Sequence, residues 1–247
     1  MCRLFLSIST SNNKSKMDLL RDLIEKYLYK GTVVDKMYDG YGFAWKRRIS
    51  SQKWNVYKSH KPYFCDIKSQ YVINHLPHNE VIIGHIRSDQ PQRTRVVAAP
   101  SMDNTHPFYY KNRIFEHNGF IRNFGQHRNF LKTCILPKFS HLIRGNTDTE
   151  LLFYLLLSFL ESAAGDEKRA LQNMFGFFRR NGITGLFNMI YGAPNVVIVS
   201  RYSLDEGTPI PLYIAGSGSD ILISTMKITP DQKMMGKNEI LVFRTDA

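Results

Sequence analysis

The chain opens on a short apolar run, Leu4 to Ile8, that reads as a strand. The period then changes. Leu19, Leu20, Leu23, Ile24, Tyr27 and Leu28 recur at intervals of three and four, which predicts a helix with Ser15-x-x-Asp18 as its start signal. Four β-rich segments follow, Gly42 to Trp45, Trp54 to Lys58, Val81 to Ile86 and Arg113 to Glu116. Two helices are predicted in the middle, one opening at Thr147-Asp148-Thr149-Glu150 and running to about Ser162, the other from about Asp166 to Arg180 with Gly182 as its stop. Strands return at Asn195 to Ser200, Leu212 to Ala215, Ile221 to Ser224 and Glu239 to Arg244, separated by Pro, Gly and Asp turn signals. This order gives a layered α+β fold. Two sheets face to face with helices outside them is one such arrangement, and periodicity alone does not select it.

At 247 residues the chain suffices for one large domain or two small ones. No Pro/Gly/Ser linker, low-complexity tract or repeat divides it, so a single domain over residues 1 to 247 is expected. The longest apolar run, Leu151 to Leu160 with Ser158 inside it, is shorter than the roughly 20 residues a bilayer span needs. The start shows no basic segment leading into a long apolar core and a small-residue cleavage site, so a cytosolic protein without membrane association is expected. Cys2, Cys65 and Cys134 are odd in number, far apart and in no CxxC pair, which speaks against a disulfide framework and a zinc knuckle. A formal charge of +12 suits a polyanion, but the cations come in small scattered groups (Lys46-Arg47-Arg48, Arg93 with Arg95, Arg179-Arg180) without a nucleic-acid motif. A solvated basic surface accounts for them, and nucleic acid is not an expected partner.

Candidate chemistry begins at Cys2. If Met1 is lost, thiol and free α-amine share one residue: the thiolate attacks, and an amine of pKa roughly 7.7 to 8.0 carries the proton near neutral pH. A cysteine near an N-terminus is more commonly a small buried hydrophobe. Four further segments have paired readings. Gly84-His85-Ile86-Arg87 closes an apolar strand, so Arg87 serves either a surface ion pair or a substrate carboxylate held bidentately. Phe115-Glu116-His117-Asn118-Gly119-Phe120 puts Asn-Gly directly after a strand, as an ordinary turn or as an amide and a backbone N–H converging on an oxyanion. Asn146-Thr147-Asp148-Thr149-Glu150 is a helix cap whose Asp148, in the first turn, also suits a substrate ammonium. Tyr38-Asp39-Gly40-Tyr41-Gly42-Phe43-Ala44-Trp45 lacks GK[ST] and GxGxxG and reads as scaffold with close backbone packing.

Taken in order, Cys2, Asp39-Gly40-x-Gly42, Gly84-His85-x-Arg87, His106-Pro107-Phe108, Asn118-Gly119 and Asp148-x-Glu150 make the chain resemble the glutaminase domain of class II glutamine amidotransferases, in the N-terminal-nucleophile hydrolase superfamily. The match spans residues 2 to about 152, followed by a looser strand-rich remainder. The resemblance implies a four-layer αββα sandwich of two packed, mainly antiparallel sheets with helices outside. It implies Cys2 as nucleophile, Asn118 and Gly119 as oxyanion hole, and Arg87 and Asp148 as holders of the α-carboxylate and α-ammonium of a γ-glutamyl substrate. Chemistry agrees with these roles, because such a zwitterion needs one cation and one anion, and its scissile carbonyl needs two donors and a nucleophile. One departure bears on substrate choice: where the family commonly has a small residue followed by Thr or Ser, this chain has Ser88-Asp89-Gln90. His85, His106 and His117 form no HExxH or close helical pair, so structural hydrogen bonds are expected of them rather than metal ligation.

The expected reaction is attack of Cys2 on the side-chain amide of glutamine or another γ-glutamyl compound, giving a γ-glutamyl thioester that water hydrolyses, with no metal and no organic cofactor. A self-standing γ-glutamyl amidohydrolase is preferred, because no synthetase domain follows within the 247 residues. A glutaminase subunit feeding ammonia to a separate synthetase is the alternative, and a non-catalytic basic binding protein on the same scaffold is the third reading.

Overall fold

The structure is a computed structural model that describes residues 2–9, 39–47, 53–76, 80–88, 98–217 and 220–245. The helix expected around Leu19 to Leu28, its Ser15 and Asp18 start signal, and Asp89 and Gln90 lie outside the described residues. Within them, the apolar runs form two antiparallel sheets. The first carries β1 (Arg3–Ile8), β2 (Tyr41–Arg47), β3 (Asn55–Ser59) and β4 (Glu80–Ile86), extended by β9 (Tyr213–Ser217), β10 (Asp220–Ser224) and β11 (Lys233–Met234). Its order is β11-β9-β10-β1-β4-β2-β3. The second runs β12-β8-β7-β6-β5, from β5 (Phe108–Tyr110), β6 (Arg113–Ile121), β7 (Gly185–Gly192), β8 (Val196–Ser203) and β12 (Glu239–Arg244).

Side-chain alternation assigns each face of these strands to a different layer. Leu4, Leu6, Ile8, Ala44, Val81 and Ile83 of the first sheet pack against Ile114, Ile190, Val197 and Val199 of the second. On the outer face of the first sheet, Phe5, Tyr41, Phe43, Ile82 and Ile86 meet Tyr63, Val72 and Leu76, on or beside α1 (Ile67–Asn74). The outer face of the second sheet, with Phe115, Phe187, Met189 and Tyr191, is covered by α4 (Asp148–Ser162) and α5 (Glu167–Arg180). The shorter α2 (Phe124–Thr133) and α3 (Pro137–Ser140) flank α4. Residues 151–157 of α4 are all buried, because sheet and helices enclose it. The result is the αββα sandwich with two antiparallel sheets at its centre.

Close backbone approach fixes how the strands lie at the Cys2 end. A Cβ on Gly84 would stand 2.2 Å from the Phe5 ring, and one on Gly42 would stand 2.2 Å from the His106 carbonyl oxygen. These positions need glycine for space. Differences from the expected elements are informative. The central strand β7 was absent from the expected elements. It is apolar on both faces except at Asn188 and bounded by glycines, so it lacks the period-two signal of a half-buried strand.

At the opposite end of β2, the fully buried Lys46 ammonium donates to the carbonyls of Ala193 and Pro194 and to Thr245 Oγ1 at 2.9 Å. It also sits 5.3 Å from the centre of the Trp54 ring. This one side chain ties β2 of the first sheet to the β7–β8 turn and to the end of β12. Lys46→Met is expected to lower the unfolding free energy by about 3 kcal/mol, since buried carbonyls lose a charged donor, and Thr245→Val by about 1 kcal/mol. Denaturant midpoints unchanged by both substitutions would contradict this role.

Candidate active site

Cys2 immediately precedes β1, and the β1–β4 register, Arg3 opposite Ile86 and Leu4 opposite His85, carries it to the end of β4 beside Arg87 and Ser88. The Ser88 N–H donates to Cys2 Sγ at 3.2 Å, and the thiol lies 3.5 Å from the Ser88 carbonyl oxygen, to which it donates when protonated. Arg87 is 3% exposed; its backbone N–H donates to the Gly40 carbonyl at 2.8 Å and its guanidinium to the Ala98 carbonyl at 2.6 Å. The Arg87 side chain is thus interior rather than on the surface, and backbone braces it.

Asn118 and Gly119 do not follow a strand or make a turn. They lie inside β6, opposite Asn188 and Phe187 of β7, so cross-strand pairing overrides the local turn preference of Asn-Gly. Asn118 Nδ2 donates to the Cys2 carbonyl at 2.9 Å, which joins the second sheet to the tip of the first. An amide nitrogen carries two hydrogens, so one remains for another acceptor. Farther along the strand, the Arg122 N–H donates to the Thr184 carbonyl on the β7 side, and the Ile121 N–H donates to Asp148 Oδ2 at 2.9 Å on the other. Alternation therefore sends the Gly119 N–H to the same open edge as that of Ile121. A Cβ on Gly119 would meet the Leu186 carbonyl oxygen at 1.9 Å and His117 Nε2 at 2.6 Å, so no larger residue fits.

Asp148 begins α4. Thr147 caps the helix, its side chain accepting the Glu150 N–H at 3.3 Å, as the sequence predicts. The Glu150 carboxylate accepts the N–H groups of Arg144 and Gly145 at 2.8 and 2.7 Å and so moulds the loop before the helix. Thr149 Oγ1 lies 3.4 Å from Asp148 Oδ1 and 3.2 Å from His117 Nδ1, while His117 Nε2 donates to the Leu186 carbonyl at 3.1 Å. Asp148 is thus positioned from both β6 and its own helix. The structure brings Cys2, Arg87, Asn118, Gly119 and Asp148 to one end of the sandwich, and adds Ser88, Thr149 and Glu150, whose bonding carries no sequence motif of its own.

Of the three histidines, His117 is hydrogen-bonded as expected. His85 and His106 are not: their rings lie with centres 3.9 Å apart and planes tilted by 38°, both buried, with neither nitrogen of either ring in a hydrogen bond. Burial, reinforced for His85 by nearby Arg87, pushes its pKa down to about 3, and burial beside His85 takes His106 well below the ordinary imidazole value. Glu116, two residues before Asn118 on the same face of β6, is fully buried with neither carboxylate oxygen hydrogen-bonded, and burial raises its pKa well above 4.5. Among the described residues, no group of three or more His, Cys, Asp or Glu is placed to hold a metal ion, and no helix is long and apolar enough to cross a membrane.

The sequence matches the family described as class-II glutamine amidotransferases over residues 1–202. It is 31% identical over 91 residues to the probable glutamine amidotransferase DUG3 of Saccharomyces cerevisiae, an alignment covering 37% of this chain and 24% of the yeast protein. The chain therefore matches about a quarter of the length of that relative. Among solved structures, it is similar to a glutamine aminotransferase class-II domain protein from Silicibacter pomeroyi, with TM-score 0.63 and 20% identity, covering 98% of this chain and 94% of that one. It is also similar to the glutamine phosphoribosylpyrophosphate amidotransferase of B. subtilis, with TM-score 0.65 and 16% identity, covering 98% of this chain and 47% of that one. At these identities the structural likeness is one of fold.

The buried ionisable groups give stability a signed dependence on pH. Above pH 4.5 the unfolded chain ionises Glu116 while the folded chain keeps its proton, so stability present below that pH is lost as pH rises. His85 and His106 act oppositely: below pH 6.5 the unfolded chain gains protons that the folded chain refuses, and stability falls on acidification towards pH 3. Glu116→Gln is therefore expected to match the wild type most closely near pH 4 and to gain on it progressively, by up to about 1.4 kcal/mol per pH unit above 4.5. Melting temperatures of both proteins from pH 4 to 9 measure it; a pH-independent difference would exclude a neutral Glu116.

Proposed function

The chain belongs to the class-II glutamine amidotransferases, enzymes of glutamine amide hydrolysis or transfer, and on that premise we propose that it is a single-domain amidohydrolase for γ-glutamyl compounds with Cys2 as its nucleophile. Removal of Met1 frees the Cys2 α-amine, which takes the thiol proton. The thiolate attacks the γ-carbonyl carbon, forming a C–S bond as the carbonyl electron pair moves to oxygen. That oxyanion is received by the second Asn118 Nδ2 hydrogen and the Gly119 N–H, donors of a kind typically worth about 2.7–4 kcal/mol each in the transition state. Collapse breaks the C–N bond, and the α-ammonium returns its proton to the leaving amine. Water, deprotonated by the same amine, then adds to the γ-glutamyl thioester, breaks the C–S bond and releases glutamate. Arg87 takes the substrate α-carboxylate and Asp148 its α-ammonium.

The observation that carries this reading is the Asn118 amide on the Cys2 carbonyl at 2.9 Å, with the Gly119 N–H on the open edge of the same strand. It supports a thiol, an amide and a free backbone donor sharing one locus. A separate-synthetase reading is favoured by one fact: the chain aligns with 47% of the B. subtilis chain, so the matched region is there one part of a larger protein. Glutaminase turnover that rises only when a second protein is added would select that reading over the self-standing one.

Intact mass before and after a diazo-ketone glutamine analogue tests the nucleophile. The expected result is a wild-type chain lacking Met1 that gains one label, and a Cys2→Ala chain that gains none. A functional wild type that retains Met1, or that stays unlabelled under conditions labelling a known glutaminase, would sink the mechanism. Asp148→Asn is expected to raise KM for glutamine by at least about tenfold through loss of the ammonium contact. An unchanged KM in steady-state kinetics would remove Asp148 from the binding site.

A further inference from the structure

Resting on the reading of Arg87 and Asp148 as the two poles for a zwitterionic head group, we propose that Asn104 is the positioning residue that fixes the spacing between them. Asn104 closes the short turn Met102–Asn104 and is 6% exposed. Its Nδ2 donates to the Ala99 carbonyl at 2.9 Å, and its Oδ1 accepts the Asn146 N–H at 3.0 Å. Ala99 follows Ala98, whose carbonyl holds the Arg87 guanidinium, and Asn146 stands two residues before Asp148. One planar amide therefore ties the backbone that braces the cation to the backbone that presents the anion.

Both ends of this tie are stiff. On the anion side, the Glu150 carboxylate holds the Arg144 and Gly145 N–H groups, and Asp148 is itself fastened to the Ile121 N–H. Gly145 lies so close that a Cβ on it would stand 2.4 Å from Asn104 Oδ1 and 2.6 Å from the Asp103 carbonyl oxygen. On the cation side, the turn is closed by the Asn104 N–H on the Ser101 carbonyl, and the Thr105 hydroxyl donates to the same oxygen at 2.7 Å. The chemistry asks for an amide, which alone among side chains of this size offers a donor and an acceptor in one plane. Aspartate would set an acceptor against the Ala99 carbonyl, and alanine would remove both contacts and with them the tie between the two segments.

An α-amino acid head group has a nearly fixed separation of carboxylate and ammonium, so two poles at fixed spacing select it over ligands that carry one charge. A change in spacing is felt by a ligand that must touch both poles and hardly at all by one that touches either. The test is steady-state kinetics on glutamine and on two analogues that each lack one charge, glutaric acid monoamide and γ-aminobutyramide. Wild type is expected to prefer glutamine strongly. Asn104→Ala should raise KM for glutamine about tenfold with kcat within about twofold, while KM for either analogue moves by less than about twofold. Asn104→Asp keeps the size and the acceptor for Asn146, is expected to lose the same discrimination, and serves if the alanine variant does not fold. Equal KM rises for all three substrates, or a fall in kcat at constant KM, would overturn the positioning role. A wild-type enzyme that already fails to distinguish glutamine from the analogues would instead overturn the zwitterion reading, and this inference with it.

Discussion

The hydrogen bond from Asn118 to the Cys2 carbonyl is the contact on which the rest of the site's geometry depends. It crosses between sheets that pack through apolar side chains, an interaction that is non-directional, and that Lys46 ties together only at the opposite end. Each sheet aligns its own set of side chains by register: Leu4 against His85 extends Cys2 to Arg87 in one, and Asn118 against Asn188 sets the amide in the other. The bond between them converts two internally ordered sheets into one site. The same amide keeps a second hydrogen, so under the proposed mechanism the group that fixes the cysteine also supplies a donor to the carbonyl under attack.

Most of the fold was legible where local and tertiary demands agree. Strands such as Val81 to Ile86 and the α4 start at Thr147 carry their signals in types and spacing alone. The failures share one cause, a tertiary partner outvoting a local preference. Asn118-Gly119 has strong turn chemistry, yet it runs straight because β7 pairs with it on one side while Asp148 takes the next exposed N–H on the other. The Glu150 carboxylate likewise takes its partners from the loop before the helix, the N–H groups of Arg144 and Gly145, which no local pattern announces. The five candidate site residues were found through their order along the chain, a signal that survives when each motif alone reads as scaffold. Asn104 had no such signal, since a buried amide that bridges two loops looks like any asparagine in a turn.

Hydrogen bonding separates the ionisable groups near Cys2 into two kinds. His85, His106 and Glu116 are buried without hydrogen bonds, and burial drives each towards its uncharged form. Arg87 and Asp148 are buried almost as deeply but are anchored, Arg87 by the Ala98 carbonyl and Asp148 by the Ile121 N–H. Hydrogen bonds from fixed dipoles offset part of the cost of burying a polar or charged group, and a group without them bears the whole of that cost. At this end of the sandwich the anchored Arg87 and Asp148 therefore stand among buried His85, His106 and Glu116, which burial drives towards their uncharged forms. The proposed placement of a zwitterionic head group between Arg87 and Asp148 rests on this contrast.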